Sequence, residues 1–335
     1  MGQQLDLFTG RVSPKAAATT TTPEPPREEP LLLPPEILPG QTGLFDFRSL
    51  ALGRARAAVS DGRLDEACRE LSALASRLPN DAAVLREGVE VRALMEKLAR
   101  IAGPRRKQRA RALLALAGEL AGAPEPRASL RRRLLVRAAA ELAREQGDAG
   151  TLEGRLAGEI LIDAGALAEA EVSLAAALAA RREARALYRL ADAIFLRGDT
   201  ATARRRYREA LLVDPFDAAL LDVRDAEVRG LPGVVRIELE IDDEPDAWTA
   251  PAGILTGVLP WPARGDAGAA PGAGEDAMPA ARREALGRAR GFVEALAAAG
   301  TARGEAAVAV RREMKRISAA MFEVYMDRVV RGRGG

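Results

Sequence analysis

Residues that helices tolerate only at their ends recur along this chain at short intervals, and they restrict it to short helices joined by tight turns. Between about Asp46 and Arg229 the pattern is helical almost throughout. Breaks fall at Asp61-Gly62, Pro79-Asn80, Gly103-Pro104, Ala123-Pro124, Gly147-Asp148, Gly165, Gly198-Asp199 and Asp214-Pro215. Glycine suits a helix C-terminus and proline a helix start, so each break reads as a turn between antiparallel neighbours. Overlaying the segments exposes a repeat. Gly198 is followed by Ala203, Tyr207, Ala210 and Pro215. Gly62 is followed at identical spacing by Ala67, Leu71, Leu74 and Pro79. A third copy runs Gly165, Ala170, Leu174 and Ala177, with Arg182 in the proline position. Gly165 and Gly198 lie 33 residues apart, a period typical of stacked helical hairpins. Glycine allows the turn, the alanines let two helices approach, and the larger residue between them fills the gap.

Composition supports the same reading. Alanine, leucine, arginine and glutamate dominate, and these lose little on entering a helix. At 48% hydrophobic and 29% charged residues the chain is globular. The expected fold is mainly α: a superhelical array of antiparallel helix hairpins over residues 44–230. A small β hairpin element over 231–262 follows, then a flexible linker over 263–278 and a C-terminal helical hairpin over 279–335. The β expectation rests on Val235, Ile237, Leu239 and Ile241 alternating with Arg236, Glu238 and Glu240, the period of a half-buried strand. Ala252 to Leu259 is its expected partner. In the last helix Val310, Met314, Ile317, Met321 and Val324 form one apolar stripe.

The stretch from Leu187-Tyr188-Arg189-Leu190-Ala191 through Asp214-Pro215 resembles the tetratricopeptide repeat family. Leu187 stands where that family favours tryptophan, Ile194 where it favours tyrosine, and the helices between Asp81 and Gly147 fit the register poorly. The resemblance implies a concave groove, lined by the first helices of successive pairs, that accepts a peptide or helix. It places Arg155, Glu159, Tyr188, Arg189 and Asp192 as groove candidates, and other proteins or peptides as partners.

Residues 1–43 read as a disordered tail rich in proline and threonine. Near its start stands Gln4-Leu5-Asp6-Leu7-Phe8. This pentapeptide resembles the motif by which bacterial replication and repair proteins dock on the DNA polymerase sliding clamp. The resemblance implies that Gln4 bonds at a pocket edge while Leu7 and Phe8 fill an apolar pocket. A looser copy, Gln41-Thr42-Gly43-Leu44-Phe45, sits at the tail's other end, where Phe45 and Phe47 are expected to begin the fold. The alternative is that Leu5, Leu7 and Phe8 pack on the chain's own helices, in an adaptor unrelated to replication.

Several chemistries are disfavoured. The chain has no histidine, which removes the commonest general base and metal ligand and every Ser-His or Cys-His pair. One cysteine, Cys68, permits no internal disulfide. The net charge of +2 shows no basic excess of the kind that phosphate binding needs. The triplets Arg105-Arg106-Lys107, Arg131-Arg132-Arg133 and Arg204-Arg205-Arg206 fan around helix axes beside acidic residues such as Glu141, Glu145 and Glu209, so they read as solvated faces. The acidic run Glu238, Glu240, Asp242, Asp243, Glu244 and Asp246 suggests a metal or carboxylate-dependent enzyme site, but it equally reads as a solvated edge. Gly265, Gly268, Gly272 and Gly274 fall in the expected linker and form no phosphate loop. The expectation is a cytoplasmic, non-enzymatic scaffold or adaptor without catalytic residues, metal or cofactor, direct nucleic-acid contact or membrane segment.

Overall fold

Helices occupy most of the chain and follow the predicted punctuation closely. A computed structural model describes residues 42–102, 106–147, 149–241, 244–263 and 272–331. The candidate motif Gln4–Phe8, with the rest of residues 1–41, lies outside the described residues, as do Asp242, Asp243 and 264–271. Helices α1 (Thr42–Ser60), α2 (Leu64–Arg77), α3 (Ala82–Ala102), α4 (Arg106–Glu119) and α5 (Arg127–Gln146) come first. Thr42–Phe45 thus belong to the first turn of α1. A two-residue antiparallel pair, β1 (Thr151–Leu152) and β2 (Arg155–Leu156), leads into α6 (Ala157–Asp163), α7 (Leu167–Ala180), α8 (Ala184–Leu196) and α9 (Thr200–Val213). From α4 to α9 each helix packs on the next, as short connections between antiparallel helices require.

The three repeat copies fold alike. Gly62, Gly165 and Gly198 adopt positive φ of 75°, 74° and 94°, which glycine reaches without a Cβ clash. Each closes its helix with the same pair of bonds. The glycine N–H donates three residues back, to Val59, Ile162 or Phe195, and the next N–H donates five back, to Ala58, Leu161 or Ile194. This double cap satisfies carbonyls that the helix end leaves open. The helices that follow, α2, α7 and α9, are each 14 residues long. Their alanines and intervening large residues, Ala67-Leu71-Leu74, Ala170-Leu174-Ala177 and Ala203-Tyr207-Ala210, are all buried.

Beyond Pro215 the structure corrects the sequence reading. A 3₁₀ turn (Ala218–Asp222) leads into α10 (Ala226–Gly233). Residues 235–241 form no strand: Val234–Glu238 is a π-helical turn, closed by Leu239 N–H to the Val234 carbonyl at 3.1 Å. Pro232 inside α10 removes a backbone donor and crowds the preceding turn, which favours such a widened coil. The alternation did not mark one face, since Val235 is buried but Ile237 is 78% exposed. The expected partner strand is helix α11 (Thr249–Thr256), preceded by a 3₁₀ turn (Pro245–Trp248). An isolated hairpin leaves both edges unpaired, whereas coils satisfy their own backbone. The one β element among the described residues is β1–β2, some eighty residues earlier than expected.

The C-terminal hairpin of α12 (Ala280–Ala299) and α13 (Gly304–Ile317) is present, but the second expected helix breaks and continues as α14 (Ala319–Arg331). Ser318 makes the break: its backbone is extended and its Oγ accepts from Met321 N–H at 3.3 Å, an N-cap for α14. Residues 272–278, expected as linker, are packed. Ala273 N–H donates to the Arg182 carbonyl, and Glu275 takes both terminal nitrogens of Arg290 at 2.9 Å. Arg290 also donates to the Leu212 and Val213 carbonyls at the end of α9. One apolar core then runs continuously from α8 through α14, with Trp248 edge-on to Phe292 inside it. Among the described residues no helix is long and apolar enough to cross a membrane.

Candidate functional groove

An open cleft of about 560 Å³ lies between α6, α8 and the stretch from the 3₁₀ turn to α10. Its first wall comes from helical spacing. Arg185, Arg189 and Asp192 stand at successive turns of one face of α8, opposite Glu159 on α6. The second wall is Leu221, Asp222, Arg224 and Arg229, and Arg155 of β2 with Ile162 and Asp163 of α6 complete the lining.

Buried carboxylates organise the first wall. Glu159 accepts a two-point fork from Arg185, Nε to Oε1 at 2.6 Å and Nη2 to Oε2 at 2.9 Å. That bond pushes the Arg185 guanidinium further up, against the opposing pull of burial. Arg189 sits between Glu159 and Asp192, its Nη1 donating to Asp192 Oδ2 at 2.9 Å. Asp192 is only 1% exposed, and its Oδ1 accepts from the Tyr207 hydroxyl at 2.6 Å and from Arg224 N–H at 2.7 Å. Burial and the neighbouring Asp192 push the Tyr207 hydroxyl far up, so it stays protonated and donates. Asp192 thereby ties the second wall to α8 and α9. Arg155, in β2 rather than on a helix, pairs with Asp163.

Four of the five groove candidates therefore line one cleft: Arg155, Glu159, Arg189 and Asp192. Tyr188 does not. It is fully buried behind α8, donating its hydroxyl to the Asp214 carbonyl at 3.2 Å. The repeat register missed Arg185, one turn before Arg189, and the whole second wall, which lies after the last repeat. The available signal for that wall was a leucine set directly against charged residues, Leu221-Asp222-Val223-Arg224, just after the last repeat. The side chains of Arg105-Arg106-Lys107 lie outside the described residues, and the other two triplets are largely spent on neighbours: Arg132 on Glu125, Arg133 on Asp61 and the Ser60 carbonyl, Arg204 on Asp225 and Glu227, Arg206 on Glu209. Of the acidic run, Asp246 pairs with Arg236 and Glu244 with Arg282. Among the described residues no three Cys, Asp or Glu side chains converge as a metal site would require. Cys68 is half-buried within α2, and burial pushes its thiol up. No family model, curated protein or solved structure matches the chain.

Proposed function

We propose that this protein is a non-enzymatic scaffold of tetratricopeptide type. It holds another polypeptide in the cleft between α6, α8 and the 218–229 wall, and Gln4–Phe8 tethers it to a bacterial sliding clamp. The observation that carries the reading is the cleft, built on the first helix of the best repeat copy. Its carboxylates Glu159 and Asp192 are committed to arginines, and its lining offers no serine, threonine, cysteine, lysine or tyrosine to act as nucleophile or acid. What remains is a polar, open surface with fixed guanidinium groups, suited to grip peptide carbonyls and side chains.

Selecting a displayed random-peptide library on the full-length chain tests the groove. Binders are expected to lose affinity when Leu221→Trp fills the second wall, and binders indifferent to that change would count against it. The tether is tested separately, by measuring affinity for the cognate clamp in wild type and Leu7→Ala/Phe8→Ala. Equal affinity would remove the tether and leave the groove reading standing.

A further inference from the structure

The charges of the groove are unevenly matched, and the mismatch points to the chemistry of its occupant. On the α6–α8 side each carboxylate has its cation: Glu159 with Arg185, Asp192 with Arg189, and Asp163 with Arg155. The second wall differs. Among the described residues Arg224 and Arg229 have no carboxylate within ion-pair distance. The guanidinium of Arg229 donates to the Val223 carbonyl, and Arg224 is held through its backbone N–H on Asp192. Both side chains are exposed, and Leu221 beside them is 70% exposed. A single exposed leucine is ordinary. One that shares a groove wall with two unpaired cations is a contact of mixed character.

Resting on the reading of the cleft as a peptide-holding groove, we infer that its occupant is an acidic peptide segment. Its carboxylate side chains meet Arg224 and Arg229, and a neighbouring apolar side chain covers Leu221. A nucleic acid or other polyanion fits the same wall poorly, because the carboxylate of Asp222, between Leu221 and Arg224, would face its continuous charge. Discrete carboxylates can take the arginines and avoid that group, since planar guanidiniums bind them in a two-point fork.

The test uses the full-length chain and three fluorescein-labelled peptides of about ten residues. One alternates leucine with glutamate, and the others carry glutamine or lysine in the glutamate positions. By fluorescence anisotropy the glutamate peptide is expected to bind about tenfold or more tighter than the glutamine peptide, and to weaken as salt rises. R224E/R229E is expected to lose the glutamate peptide and gain the lysine peptide. Both positions are solvent-facing, and an unchanged circular-dichroism melt confirms the fold. As a second variant, L221S is expected to weaken the glutamate peptide without changing its salt dependence. Equal binding of the glutamine or lysine peptide by the wild type, or an unaffected R224E/R229E, overturns the acidic occupant yet leaves a peptide-holding groove. Failure of all three peptides to bind overturns both.

Discussion

At the scale of single residues, two acids of this chain, buried Asp192 and half-buried Asp214, act in opposite senses. Asp192 holds three donors from three segments: Arg189 on α8, Tyr207 on α9 and the backbone of Arg224. Asp192→Ala would leave the fully buried Tyr207 hydroxyl without its acceptor and remove the carboxylate that holds Arg189 and the Arg224 backbone, and breaking such a buried network costs about 3–5 kcal/mol. Urea unfolding reads that loss directly, and a cost below about 1 kcal/mol would show the network to be slack. Asp214 behaves otherwise. Burial pushes its carboxyl up, although the Phe216 N–H and the arginines Arg282 and Arg290 pull it down. An acid raised in the folded state opposes folding once the pH exceeds its unfolded value, and the penalty is complete above the folded value. Asp214→Asn keeps an oxygen for the Phe216 N–H, which bonds the carboxylate at 2.9 Å. The variant is therefore expected to be more stable than wild type at neutral pH. Its advantage should shrink as pH falls through the carboxylate range, and an advantage that grew on acidification would contradict the assignment.

At the scale of elements, α6 and α7 touch through Gly158. A Cβ there would stand 2.3 Å from Leu174 Cγ and 2.8 Å from its Cδ2. Alanine is the better helix former, but this overpacking should dominate and make Gly158→Ala destabilising by about 1–3 kcal/mol. In a double-mutant cycle the penalty should fall once Leu174 is also alanine, because the added methyl then enters the vacated space. Strictly additive costs would place the clash elsewhere. The helical hairpins were legible because their signals are local: a glycine that must turn, an alanine that must be small, a proline that cannot continue. Arg155, Glu159, Arg189 and Asp192 were legible through that register. Tyr188 was not, since the register marks a side of the helix and not its burial. The misread strand had a different cause. The alternation from Val235 to Ile241 is a local pattern, whereas a strand needs a partner, and Pro232 had already committed the backbone to coil. Arg224 and Arg229 lie beyond the last repeat, and no periodicity addressed them.

At the scale of the whole molecule, the last repeat and the C-terminal helices share one core, stitched by arginine. Arg290 joins α12 to the end of α9, and Arg328 on α14 donates to the Ile254 carbonyl of α11 at 2.6 Å while stacking over Trp261. Such forked contacts with carbonyls suit guanidinium and not ammonium. Arg290→Ala is expected to lower the stability of this core by about 2 kcal/mol, with Arg290→Lys recovering little of it. Trp261→Phe leaves Trp248 as the sole tryptophan of the chain, so its fluorescence follows the shared core during urea unfolding. A shift seen by circular dichroism but not at Trp248 would locate the effect outside that core. The groove stands where the repeats end: one wall belongs to the last hairpins, and the other to the turn that leaves them. A lineage that gained or lost hairpins nearer the N-terminus would therefore change its length without retuning what the cleft accepts. If the cleft holds a peptide as proposed, drift in the fourteen residues from Phe216 to Arg229 would alter its choice of partner without adding or removing a helix.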